Sequence, residues 1–172
     1  MLLMNGIMMR MVYNRIASNF HSSKMFCSKV EPTLKVGDIL QQRRIFTIED
    51  VVEYSNVSKD INPLHFDTKC AQIAGFQDRL VHGMLVASLF PRIISSHFPG
   101  AVYVSQNLQF RQPVYVEDEI VGEVQAFSII NFKKNYFVKF ITRCFKKDSL
   151  IVLDGEATAI LPYLSWQSQI VE

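Results

Sequence analysis

The spacing of apolar residues changes character once along this chain, at Pro99-Gly100. Beyond that point Val102, Val104, Leu108 and Phe110 alternate with polar neighbours, and residues 120–130, 135–144 and 149–161 repeat the same two-residue period. Period two turns one side of a chain to a core and the other to water, which predicts four long strands. Phe132-Lys133-Lys134-Asn135 and Lys146-Lys147-Asp148 predict the hairpin turns. Ahead of Pro99 the pattern is helical. From Gly83 onward Met84, Leu85, Val86, Ala87, Leu89, Phe90, Ile93 and Ile94 leave almost no polar side. A helix apolar all round is a buried one, and Pro91 should bend it or end its first part. Thr47 can cap a short helix with Val51, Val52, Tyr54 and Val57 on its apolar side, and Glu49 and Asp50 suit its positive end. Asp67-Thr68 caps another, over residues 69–74, which Gly75 stops. Residues 39–46 make a short strand ahead of these helices. This order predicts an α+β fold, an antiparallel sheet around one buried helix.

Charge sharpens the boundaries. The 172 residues fit one domain, and a hydrophobic fraction of 49% is enough for a core. Residues 1–30 carry Arg10, Arg15, Lys24 and Lys29 and no acid. Without them the remaining chain is mildly acidic, which argues against a nucleic-acid partner. The opening residues 1–28 mix Arg, Ser and apolar side chains in the manner of a mitochondrial transit peptide. Residues 1–30 are therefore expected to lie outside a single domain over residues 31–172. No apolar run is long enough for a membrane span. Cys27, Cys70 and Cys144 form neither a CxxC nor a metal-ligand spacing, so a reducing compartment and no structural metal are expected. Motifs for nicotinamide or nucleotide phosphates are missing, and no cofactor is expected.

Candidate chemistry concentrates in residues 55–67, Ser-Asn-Val-Ser-Lys-Asp-Ile-Asn-Pro-Leu-His-Phe-Asp. Asp60 and His65 lie five positions apart, and Pro63 removes an N–H and disfavours helical geometry at Asn62. The two side chains are thus expected on a tight turn, pointing into one partly buried place, where an acid and an imidazole can share a proton transfer. Asp-x-Asn-Pro is equally ordinary turn chemistry, since Asx side chains bond their own backbone.

Three blocks carry a resemblance that decides between these readings. Asp60-Ile61-Asn62-Pro63-Leu64-His65 is similar to the signature of the MaoC-like, (R)-specific enoyl-thioester hydratases. Leu80-Val81-His82-Gly83-Met84-Leu85-Val86-Ala87-Ser88-Leu89-Phe90 resembles the start of their central helix. Phe98-Pro99-Gly100 and Gln109-Phe110-Arg111-Gln112-Pro113-Val114 follow in the family's order. One departure is visible: the family usually has Gly before the acid, and here it is Lys59.

The resemblance implies the hot-dog fold, with two such units paired. No internal duplication is present, so a homodimer is expected. It also implies reversible dehydration of (3R)-hydroxyacyl thioesters, on acyl-carrier protein or coenzyme A, to trans-2-enoyl thioesters. With the transit segment, this places the chain in mitochondrial fatty-acid synthesis, in the matrix. Asp60 and His65 are the catalytic pair it implies. Asn62 is either a positioning residue or a plain turn former. Gly83, at a helix start without a Cβ, is expected to turn its amide to the thioester oxygen, with His82 beside it. Lys133 and Lys134, with Arg43 and Arg44, are read first as solvated turn residues; the sharper reading is docking of a carrier protein or coenzyme A phosphates. His97-Phe98-Pro99-Gly100 is read as a helix exit, although His-Phe-Pro also marks the catalytic histidine of bacterial-type acyl-carrier dehydratases. Two other functions compete: a hot-dog acyl thioesterase, and a non-catalytic acyl-binding module. The first usually needs an acid on or beside the central helix, and no Asp or Glu occurs between Asp78 and Glu117. The second would be expected to lack Asp60 or His65.

Overall fold

The computed structural model describes residues 33–146 and 149–165. The expected transit segment lies outside them, as does the Lys147-Asp148 turn. Strand β1 (Ile39–Ile45) leads to helix α1 (Ile48–Ser58), a 3-10 turn (Pro63–His65) and helix α2 (Thr68–Ile73). Helices α3 (Gly83–Ala87) and α4 (Leu89–His97) follow, then β2 (Val102–Phe110), β3 (Glu119–Phe132), β4 (Asn135–Phe145) and β5 (Ile151–Leu161). The strands form one antiparallel sheet in the order β1-β3-β4-β5-β2. The strand that follows the helices therefore lies at the opposite edge from the strand that precedes them. This is the α+β, hot-dog arrangement that the resemblance implies.

The sheet is held against α3 and α4 by apolar contact. Leu89, Phe90, Ile93 and Ile94 are all buried, as are Ile120, Val124, Val138, Phe140 and Cys144 from β3 and β4. Burying one such aliphatic or aromatic side chain contributes about 1.5–3 kcal/mol, so this layer carries much of the stability. Cys144 is a core residue, its thiol pushed up to about 12 by burial. Pro91 acts one turn upstream. It has no N–H to give, its ring clashes with the carbonyl four residues back, and that residue is Ala87, where α3 ends. His97 closes α4 and bonds through Nδ1 to the Ile93 carbonyl at 2.8 Å, a helix exit. Among the described residues no helix is long and apolar enough to cross a membrane.

Helix α1 aims the chain at its next turn. Thr47 Oγ1 accepts from the Asp50 N–H, and the Asp50 carboxylate accepts from the Thr47 N–H, closing a capping box. At the far end Lys59 takes up the left-handed conformation, φ 63 and ψ 15, and its N–H bonds the Ser55 carbonyl at 2.8 Å. This is the position where the family usually carries glycine. The backbone thus reaches the glycine geometry with a side chain attached, at a cost of about 1–2 kcal/mol. Lys59→Gly is expected to raise the melting temperature by a few degrees, glycine's greater freedom in the unfolded chain offsetting part of the gain. A melt monitored by circular dichroism checks it.

Candidate active site

Asp60 stands on the bend that leaves α1. Its N–H bonds Ser58 Oγ at 3.2 Å, and its Oδ1 accepts from the Asn62 N–H at 3.2 Å. Oδ2 is left to face two imidazoles, 3.8 Å from His65 Nε2 and 4.0 Å from His82 Nε2. The turn between Asp60 and His65 is more regular than Pro63 suggests. Pro63 opens a short 3-10 helix, where a missing N–H costs nothing, and Asn62 Oδ1 caps it by accepting from the Leu64 N–H at 3.1 Å. Asn62 is exposed and absent from the cavity wall, so the contact it makes is with the turn.

His65 is oriented from behind. Its Nδ1–H donates to the Leu80 carbonyl at 2.8 Å, which leaves the Nε2 lone pair turned to Asp60. At 3.8 Å the two groups are too far apart for a direct hydrogen bond, yet close enough to hold one small oxygen between them. His65 is buried, while the Asp60 side chain is 52% exposed. The pair thus has a protein side and an open side. Beside it lies a cavity of about 550 Å³, a size suited to a small organic ligand. Leu80, Val81, Val86, Val114, Val152 and Leu153 give it an apolar wall, with Asp60, His65 and His82 at its polar end. Asp60 is the only carboxylate among the described residues of that wall.

His82 packs face to face with His65, ring centroids 3.6 Å apart and planes 25° from parallel. Its Nε2–H donates to the Asp60 carbonyl at 3.1 Å. Burial holds this imidazole below its ordinary pKa and nearby His65 adds to the shift, while the Asp60 carbonyl works against it. Nδ1 is buried without a partner, which also disfavours a second proton there. Asp60, His65 and His82 offer three ligand atoms within 4.8 Å of one another. His82 Nε2, by donating to the Asp60 carbonyl, carries a proton and has no lone pair to offer an ion there.

Gly83 begins α3, and His82 makes no side-chain cap to that helix start. The absence of a Cβ has a concrete cause: one would meet Phe110 Cε1 at 2.5 Å. Phe110, at the end of edge strand β2, lies over the Gly83 backbone at the cavity. The basic candidates fall elsewhere. Arg44 pairs with Asp50 at 2.5 Å and Arg43 with Glu119 at 3.2 Å. Lys133 and Lys134 sit at the tip of the β3–β4 hairpin. Phe110 lies opposite Leu153, and Leu153 opposite Cys144, nine residues along β4 from Asn135. That is about 30 Å of strand, so these lysines do not border this chain's cavity.

A family model described as the MaoC like domain matches residues 32–142. This chain belongs to the MaoC-like family. Among MaoC-like relatives, the mitochondrial 3-hydroxyacyl-[acyl-carrier-protein] dehydratase of Arabidopsis thaliana is 60% identical over 143 residues, covering 82% of this chain and 86% of that one. The (R)-specific enoyl-CoA hydratase of Aeromonas caviae is 34% identical over 132 residues, 76% of this chain and 97% of that one. A solved (R)-hydratase from A. caviae superposes with a TM-score of 0.70 at 34% identity, over 75% of this chain and 98% of its own.

Three contributors are not legible in the sequence. The Leu80 carbonyl is main chain and no side chain announces it. Tyr54, read as an apolar residue of α1, lies against His82 with ring centroids 5.0 Å apart. Phe110 is legible as a strand residue, but its position over Gly83 depends on sheet order.

Proposed function

We propose that this chain is a mitochondrial hydro-lyase that interconverts (3R)-hydroxyacyl and trans-2-enoyl thioesters in fatty-acid synthesis. The observation that carries the reading is the Asp60 Oδ2–His65 Nε2 gap of 3.8 Å at the polar end of an apolar cavity. The names of its relatives from A. thaliana and Solanum lycopersicum, both mitochondrial 3-hydroxyacyl-[acyl-carrier-protein] dehydratases, supply substrate and compartment.

A thioester carbonyl acidifies its neighbouring Cα–H, and loss of a 3-hydroxyl requires a proton. One group must take a proton while another gives one. In the hydration direction His65 holds water on its Nε2 lone pair and removes a proton from it. Asp60, entering as the acid, orients the same water and gives its proton to Cα as the water oxygen bonds C3; the proton taken up by His65 then returns to Asp60 across the 3.8 Å gap. The Gly83 amide, at an uncapped helix start, faces the thioester oxygen as negative charge develops. The apolar wall takes the acyl chain. Carrier protein and coenzyme A are both handles that the relatives' names allow.

Two copies form the working unit. Among the described residues edge strand β2 pairs only with β5, and Phe110 and Met84 near the cavity are largely exposed. Mixing purified protein with crotonyl-CoA should bleach the enoyl-thioester absorbance without releasing free thiol. Thiol release would indicate a thioesterase, and an unchanged spectrum a binding module.

A further inference from the structure

We propose that His82 is the positioning residue that holds Asp60 and His65 in register, its ring edge fixing one and its ring face the other. This deepens the hydro-lyase reading and rests on it. Asp60 reaches its place by way of Lys59, a residue in a costly backbone conformation, and its side chain is half exposed. Local bonds to Ser58 and Asn62 steady the bend from its own segment. Among the hydrogen bonds described, the one from His82 Nε2–H to the Asp60 carbonyl ties the bend to the start of the central helix. The same ring lies 3.6 Å from that of His65. The Leu80 carbonyl holds His65 Nδ1 in its plane, but a single bond leaves the ring free to tilt about it. A flat partner removes that freedom.

The unpartnered Nδ1 of His82 supports this role. A buried nitrogen without a hydrogen bond weakens a fold, and an apolar ring of similar size would avoid the cost. The ring therefore suits the site better than it suits stability. Three titratable groups face it: Tyr54 from α1, Asp60 from the bend and His65 from the 3-10 turn. Burial keeps His82 uncharged where an ordinary imidazole would be protonated. Its Nε2–H thus stays a neutral donor while His65 cycles its proton.

Two substitutions separate edge from face. His82→Phe keeps a flat ring and loses the donor; His82→Gln keeps a donor and loses the ring. Misplacing a reacting group by about 1 Å can cost about 10²-fold, so each variant should lose kcat by roughly 10- to 100-fold with KM nearly unchanged. The phenylalanine variant should melt no lower than the parent. Imidazole nitrogen spectra of the parent protein should show His82 as a neutral Nε2–H form that stays uncharged where an ordinary imidazole is protonated. In the glutamine variant His65 should lose its single Nδ1–H form.

Full kcat in both variants, or a His82 that titrates like a free imidazole, would overturn the inference. A fall in KM-dependent rate and melting temperature together, with kcat intact, would reduce His82 to a packing residue. If the parent protein itself fails to hydrate the enoyl thioester, the hydro-lyase reading fails first. An active parent with unaffected variants removes this inference alone.

Discussion

Asp60→Asn and His65→Asn are each expected to cut enoyl-thioester hydration by at least about 10²-fold while leaving the fold in place, since positioned acid–base groups contribute about 10²–10⁴-fold. The choice of asparagine follows from the bonds each residue makes. At position 60 its side-chain oxygen can still accept from the Asn62 N–H, so the bend survives and the proton capacity goes. At position 65 its amide can replace Nδ1–H as donor to the Leu80 carbonyl, while no atom takes the place of Nε2. Steady-state rates with crotonyl-CoA, alongside thermal melts, check both claims. A variant that is folded and keeps more than about a tenth of the parent rate removes that residue from the chemistry.

Gly155→Ala should be the most damaging small substitution to stability. Gly155 lies opposite Leu108 in the β2–β5 ladder, and a Cβ there would come within 2.0 Å of the Asn107 carbonyl oxygen. The obstacle is backbone and cannot rotate aside. Nearby, Asn107 Oδ1 accepts from the Glu156 N–H at 2.8 Å, which ties the two strands closely at this point. Overpacking against a fixed atom costs about 3 kcal/mol, at the upper end of such changes. For a chain of this size that lowers the melting temperature by roughly 10 °C. Because β2 ends at Phe110 over Gly83, activity should fall further than the melt alone accounts for.

Element types were legible in the sequence because each rests on local chemistry. Thr47 with Asp50, Asp67 ahead of α2, and Gly75 at φ +92 are start and stop signals written in single residues. The four long strands followed from alternation, and the buried helix from its lack of a polar side. The proximity of Asp60 and His65 was also readable, since a turn enforces it across five residues. Other contacts were not local. His82 lies 22 residues from the Asp60 carbonyl it bonds, and Leu80 lies 15 from His65. Those distances close only when the central helix docks, and no spacing rule spans them. The lysines at the hairpin tip show the converse: a cluster in sequence told nothing of which end of the sheet it would occupy.

Phe110 belongs at once to the rim of the sheet and to the lid over Gly83. A second chain that added its strand along β2 would clamp the lid as it joined. Specific activity should then fall on dilution, because chains that come apart release that ring along with each other.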